Sequence, residues 1–128
     1  MKRLVIKLGT GVLSRTGRAL EAAQFRRIAR EVAELHKSGT SCILVSSAAI
    51  AAGVRVLGLP ARPDDLPGKQ ACAAAGQPEL MRLYAASFRA QGLRVAQLLL
   101  THGDIDSRTR RTNARNTCLL YTSDAADE

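Results

Sequence analysis

The sequence predicts an α/β fold with a mainly parallel sheet. Two short apolar runs of strand length, at residues 2–8 and 41–46, flank a segment whose apolar residues recur at helical spacing. The connections are brief, so the three elements form a strand–helix–strand unit whose strands run parallel and adjacent. In open sheets of this kind, ligands bind where strands hand over to loops and helices.

Taken in order, residues 2–8 read as a buried strand and 9–17 as a glycine-containing loop. The helix over 20–38 carries Phe25, Ile28, Ala29, Val32 and Leu35 on one face, and Gly39 stands where a C-terminal cap belongs. A second strand follows at 41–46. A helix of small residues fills 48–57, and a Pro/Asp-containing excursion runs from 58 to 68. A helix is expected over 69–75. Gly76-Gln77-Pro78 then permits a fresh start, with Pro78 in the first turn of a helix ending near 91. Residues 93–100 read as a third strand, 101–104 as a loop, and the arginine-rich stretch from 107 as a helix.

With 128 residues the chain can bury one modest core. The net charge of +8 raises nucleic acid as a partner. The aromatic residues argue against single strands, because Phe25, Phe88, Tyr84 and Tyr121 are not interleaved with arginines as stacking platforms would be. An anionic substrate such as a nucleotide accounts for part of the charge, and a solvated arginine-rich surface for the rest. Cys42, Cys72 and Cys118 lie far apart with no Cys-x-x-Cys. That pattern speaks against a metal site or disulfide framework, and for Cys42 and Cys72 as small buried side chains in a reducing, cytoplasmic setting. No apolar stretch has membrane-spanning length, and Lys7 interrupts the N-terminal run as no signal peptide would.

Two segments carry the chemistry. Lys7-Leu8-Gly9-Thr10-Gly11 ends the first strand in a lysine and a glycine turn. Ser46-Ser47-Ala48-Ala49 ends the second in a serine pair and a helix start. A cation, glycine backbone and a helix N-terminus converging on one edge make an anion site, with phosphate the leading ligand. No P-loop is present, and the Gly-x-Gly lacks the third glycine of a dinucleotide fingerprint, since Ser14 stands there. Lys7 so close to a buried sheet edge calls for an anionic partner; the alternative is a side chain snorkelling to water. The alternative for Ser46 and Ser47 is helix capping.

The string from Leu4 through Lys7-Leu8-Gly9-Thr10-Gly11 to Leu13 resembles the opening of the amino-acid-kinase family, in its glutamate-phosphorylating branch. The likeness continues through Val45-Ser46-Ser47-Ala48-Ala49-Ile50-Ala51-Ala52-Gly53, Leu57-Gly58-Leu59-Pro60, Lys69-Gln70-Ala71 and Gly76-Gln77. Further along it takes in Gln97-Leu98-Leu99-Leu100-Thr101, Asp104, Arg108 and Asn113-Ala114-Arg115-Asn116-Thr117. The resemblance implies a three-layer α/β/α sandwich, of which residues 1–117 would be the N-terminal part. It implies transfer of the γ-phosphoryl of ATP, with Mg2+, to the side-chain carboxylate of L-glutamate. The product, glutamyl 5-phosphate, would open proline biosynthesis, in a cytoplasmic homo-oligomer with no membrane or nucleic-acid partner. By the same resemblance Lys7 is the catalytic cation on the phosphoryl oxygens. The backbone of Gly9, Thr10 and Gly11 cradles the phosphates, and Ser47 and Ala48 lie against glutamate. No chemistry is assigned to Lys69-Gln70 or Gly76-Gln77, for which a structural role in the active-site wall or a subunit contact is expected rather than catalysis.

Two departures bear on those expectations. The family usually has glycine at Ala48, and if the position takes a positive φ the methyl costs on the order of 1 kcal/mol or more. Residues 118–128 have no family counterpart; they read as an artefactual tail with a disordered acidic end, and the chain alone is expected to lack kinase activity. Two alternatives stand beside this reading. One is a sibling kinase acting on another carboxylate, carbamate or phosphate. The other is a small basic nucleic-acid-binding or regulatory protein, which a steep salt dependence of binding would reveal.

Overall fold

The computed structural model describes residues 2–16 and 19–121; the end of the expected loop at Gly17 and residues 122–128 of the expected tail lie outside the described residues. The chain divides into two compact units, Met1–Arg94 and Val95–Glu128.

The first unit begins with strand β1 (Lys2–Leu8), a one-turn helix α1 (Thr10–Leu13), helix α2 (Ala22–Lys37) and strand β2 (Thr40–Ser46). Helices α3 (Ala49–Val56) and α4 (Leu66–Arg89) follow. The two strands pair in parallel, in a register that runs from Lys2 opposite Thr40 to Leu8 opposite Ser46. The fold is thus α/β, with a parallel sheet flanked by helices, and β1–α2–β2 is the expected crossover unit. Helix α2 buries Phe25, Ile28, Ala29, Val32 and Ala33. It ends as expected, with Gly39 at φ +90 following the C-cap Ser38. That left-handed conformation is cheap only for glycine.

The core lies between α2, α3 and α4. Phe25 is fully buried and meets Tyr84 edge to face, with ring centroids 4.8 Å apart. Tyr84 also stacks on Phe88 at 6.3 Å. Helices α3 and α4 approach more closely than ordinary side chains allow. A Cβ added at Gly53 would collide with the Cys72 backbone, reaching 2.6 Å from its Cα, and one added at Gly76 would collide with the Ala49 carbonyl. Backbone packs on backbone at this crossing. Gly76 therefore serves the α3–α4 crossing. The expected burial of the first strand does not hold: of Lys2–Leu8 only Leu8 is buried, because the two-stranded sheet is little covered, and Val5 and Val45, which share a face by the register, are 63% and 50% exposed.

The structure corrects the expected elements at four places. The loop after β1 closes into α1, because fully buried Leu13 draws the turn inward and Ser14 N donates to Thr10 O at 2.7 Å. The two helices expected around Gly76-Gln77-Pro78 are one helix, α4, with Pro78 inside it. Proline in a helix interior costs about 3 kcal/mol. Packing offsets that cost, because Cys72, Gly76, Leu80, Tyr84 and Phe88 form one buried stripe at four-residue intervals straight across the proline. The helix starts at its Asp65 N-cap, whose carboxylate accepts from Gly68 N at 2.9 Å.

No strand forms over residues 93–100, where Leu98, Leu99 and Leu100 are exposed. An apolar run becomes a strand only when its backbone finds a ladder, and β1 and β2 are the whole sheet among the described residues. The expected loop at 101–104 opens a short helix, α5 (His102–Asp106), in the second unit. A capping box starts it: Asp104 N donates to Thr101 Oγ1 at 3.3 Å, and Thr101 N donates to Asp104 Oδ2 at 2.8 Å. Helix α6 (Arg108–Tyr121) follows as expected.

The glycine crossing gives a direct stability test. Gly76→Ala should cost on the order of 3 kcal/mol in urea unfolding, because backbone cannot yield as a side chain can. Gly11→Ala, whose Cβ meets nothing within 4 Å, should be neutral or slightly stabilising in the same measurement.

Candidate functional site

The parallel register brings the two chemistry-bearing segments to one edge. Lys7 stands opposite Val45 and Leu8 opposite Ser46, and the ladder extends one step further as Ser47 N donates to Leu8 O at 3.0 Å. Lys7, Gly9 and the Ser46–Ser47 pair therefore leave the sheet side by side at its C-terminal end. Lys7 is exposed there.

Gly9 caps α1 with an extended backbone (φ −76, ψ 164), and Thr10 and Gly11 form its first turn. N–H groups in a first turn have no carbonyl of their own helix to meet. Neither Gly9 nor Gly11 has a positive φ, and a Cβ on either would enter open space. Nothing in the chain's own packing demands glycine at these two positions.

On the second strand, Ser47 is exposed and its hydroxyl makes no hydrogen bond to a described residue. Ala48 is 5% exposed and lies in the left-handed region, at φ 85 and ψ 4, as the N-cap of α3. It is the one non-glycine residue with positive φ among the described residues. That conformation costs an alanine about 1–2 kcal/mol. No side chain caps α3, so the capping alternative for Ser46 and Ser47 fails.

Ser46 is engaged elsewhere. Its hydroxyl donates to Ser47 O at 3.1 Å and lies 2.6 Å from the Tyr84 hydroxyl on α4. Burial pushes the Tyr84 phenol above its ordinary range, and the contact with Ser46 opposes that in part. Sequence reasoning missed Tyr84. Its signal was the fourth place in the four-residue stripe of α4, which marks it as buried and its hydroxyl as in need of a partner.

Other candidates belong to neither of these two segments. A cleft of about 220 Å³ is lined by Leu20, Ala52, Arg55, Val56 and Glu79, none of them an expected site residue. Arg108, Arg110, Arg111 and Arg115 are exposed on α6. Two of them are engaged locally, Arg110 with Asp104 at 4.0 Å and Arg111 with the Ile105 carbonyl at 3.0 Å. His36 and His102 are exposed. Cys72 is buried, and burial pushes the Cys42 thiol up. No group of three or more His, Cys, Asp and Glu could hold a metal ion among the described residues, and no described helix is long and apolar enough to cross a membrane.

The strain at Ala48 can be weighed directly. Ala48→Gly should raise unfolding stability by about 0.5–1 kcal/mol, the left-handed cost less the greater chain entropy glycine loses on folding. Thermal or urea melts of the two proteins would check it.

Comparison with known proteins points the same way as this edge. A family model described as the amino acid kinase family matches residues 2–123. Among curated proteins, the chain is 52% identical over 117 residues to a glutamate 5-kinase of Thermus thermophilus, covering 91% of this chain and 31% of that protein. It is 48% identical over 117 residues to one from Geobacter sp. (strain M21), with the same coverage. A glutamate 5-kinase of Ralstonia nicotianae is 44% identical over 118 residues, which is 92% of this chain and 32% of that one. The chain thus spans about a third of the length of the curated relatives it matches.

Proposed function

Because the chain belongs to the amino acid kinase family, we propose that its β1–β2 edge is the phosphoryl-transfer site of a glutamate 5-kinase, contributed by the N-terminal part of that enzyme's domain. The reaction would move the γ-phosphoryl of ATP to the side-chain carboxylate of L-glutamate, giving glutamyl 5-phosphate as the first step of proline biosynthesis. One observation carries the reading: the register that sets Lys7–Gly9 beside Ser46–Ser47 at a single sheet edge.

The chemistry asks the protein for position and charge more than for covalent help. Two anions must approach in line, and their repulsion must be offset where charge develops. Lys7 is the catalytic cation, acting on the transferring phosphoryl oxygens. The backbone N–H groups of Gly9, Thr10 and Gly11 receive phosphate oxygens. The open space over Gly9 and Gly11 supports this assignment, since a ligand lying against the backbone explains glycine where packing does not. Ser47 offers an unspent hydroxyl for the glutamate acceptor, and Ala48 lines the same corner. Mg2+ would accompany the nucleotide phosphates and neutralise charge there. These residues supply cation and N–H donors and no carboxylate cluster, which fits a metal held chiefly through substrate phosphates. The motifs used in this proposal lie within residues 1–117, while the family match itself runs to residue 123; a cytoplasmic homo-oligomer completes the proposal.

A chimera tests it. Residues 2–117 replace the corresponding part of the Thermus thermophilus relative, and glutamate-dependent ADP formation is followed. The chimera should turn over, and Lys7→Ala should lower kcat by about 10²–10³-fold, the usual loss when one donor to developing charge is removed. An active chimera indifferent to Lys7→Ala would contradict the assignment.

A further inference from the structure

Nothing in the reaction outlined above uses Tyr84, yet its hydroxyl reaches the site from a helix 38 residues away in sequence. The ring is rigidly held, 5% exposed, between Phe25 and Phe88. Ser46 Oγ carries one proton, and that proton goes to the Ser47 carbonyl at 3.1 Å. Either hydroxyl could donate across the 2.6 Å contact, and Ser46 makes both of its contacts at once when Tyr84 donates to Ser46 and Ser46 to the Ser47 carbonyl. The result is a directed chain, from the Tyr84 hydroxyl to Ser46 Oγ to Ser47 O.

That carbonyl belongs to the peptide joining Ser47 to Ala48. A flip of this peptide plane would carry Ala48 from φ 85 toward ordinary negative values and release its strain. It would also re-aim the Ser47 carbonyl and disturb the side chain beside it. The bond from Ser46 opposes the flip, and Tyr84 holds Ser46 in place to make it.

We propose that Tyr84 is a positioning residue for the acceptor side of the site: through Ser46 it locks the Ser47–Ala48 peptide in its strained orientation and so fixes Ser47 for the carboxylate substrate. The second half of this statement rests on the phosphoryl-transfer reading of the edge. Tyr84 touches no reacting atom. Burial pushes the Tyr84 phenol up, which keeps its O–H available for the contact.

The test has two arms. In the first, carbon and nitrogen NMR shifts of the 128-residue chain are compared with those of Tyr84→Phe, which keeps the ring, and Ser46→Ala, which removes the acceptor. Both should move the Ala48 Cα and Cβ resonances away from left-handed values or broaden them by exchange. The double variant should move them no further, because the two groups act in one chain. Unmoved Ala48 resonances, or separate and additive effects, would overturn the lock. In the second arm, Tyr84→Phe in the chimera should raise KM for glutamate about tenfold while leaving KM for ATP nearly unchanged. A KM for glutamate that stays put would overturn the positioning role even if the corner moves. An unsubstituted chimera without turnover would instead sink the kinase reading, and the NMR arm would still decide the lock.

Discussion

The crossing of α3 on α4 is the contact on which the remaining geometry depends. Gly53 and Gly76 remove the side chains that would separate the two helices, so backbone lies against backbone where Gly53 meets Cys72 and where Gly76 meets Ala49. Helix α3 begins directly behind the Ser46–Ser47 corner, and α4 carries Tyr84 to the same corner. Moving the helices apart by the width of a methyl group would withdraw either the helix start or the tyrosine. A core can absorb a changed side chain by rotating a neighbour; it has no such freedom where the neighbour is a carbonyl.

From that contact the site is assembled by alignment rather than by enclosure. Parallel pairing sets the end of β1 beside the end of β2, and the Ser47-to-Leu8 hydrogen bond carries the alignment one residue beyond the strand ends. Lys7 is left exposed, Gly9 and Gly11 have open space above them, and Ser47 keeps an unspent hydroxyl. Ala48 meanwhile holds a left-handed backbone that alanine resists. Strain of this kind persists only where surrounding structure over-determines it. Here the Tyr84–Ser46–Ser47 chain on one side and the α3–α4 contact on the other do so.

Much of this was legible in the sequence, for physical reasons that also explain the failures. β1, β2 and α2 were readable because each obeys a single local period, and Gly39 because a helix end needs a residue tolerant of positive φ. The Lys7 and Ser47 segments could be placed at one edge because a short strand–helix–strand unit admits one arrangement. Gly76-Gln77-Pro78 reads locally as punctuation, yet neither glycine nor proline interrupts the helix here. Gly76 answers to α3, and the spacing of Cys72, Leu80, Tyr84 and Phe88 carries the helix through Pro78. Residues 93–100 had the composition of a strand without a partner, and pairing is not a local property. The capping box at Thr101 and Asp104 was in plain view three residues apart, and weighing that spacing would have found α5. The link from Tyr84 to Ser46 joins residues far apart in the chain, and no periodicity could reveal it.

Amide hydrogen exchange at Ser47 in the unsubstituted chain and in Gly76→Ala tests this dependence most directly. Ser47 N–H reports on the bond to Leu8 O, at the point where the two strands deliver the site. If the α3–α4 contact holds the corner, Ser47 loses protection in Gly76→Ala well beyond the loss at Ile28 and Val32 of α2, which register global stability alone. Equal losses at all three positions would contradict the account, leaving the glycine crossing a source of stability with no hold on the site.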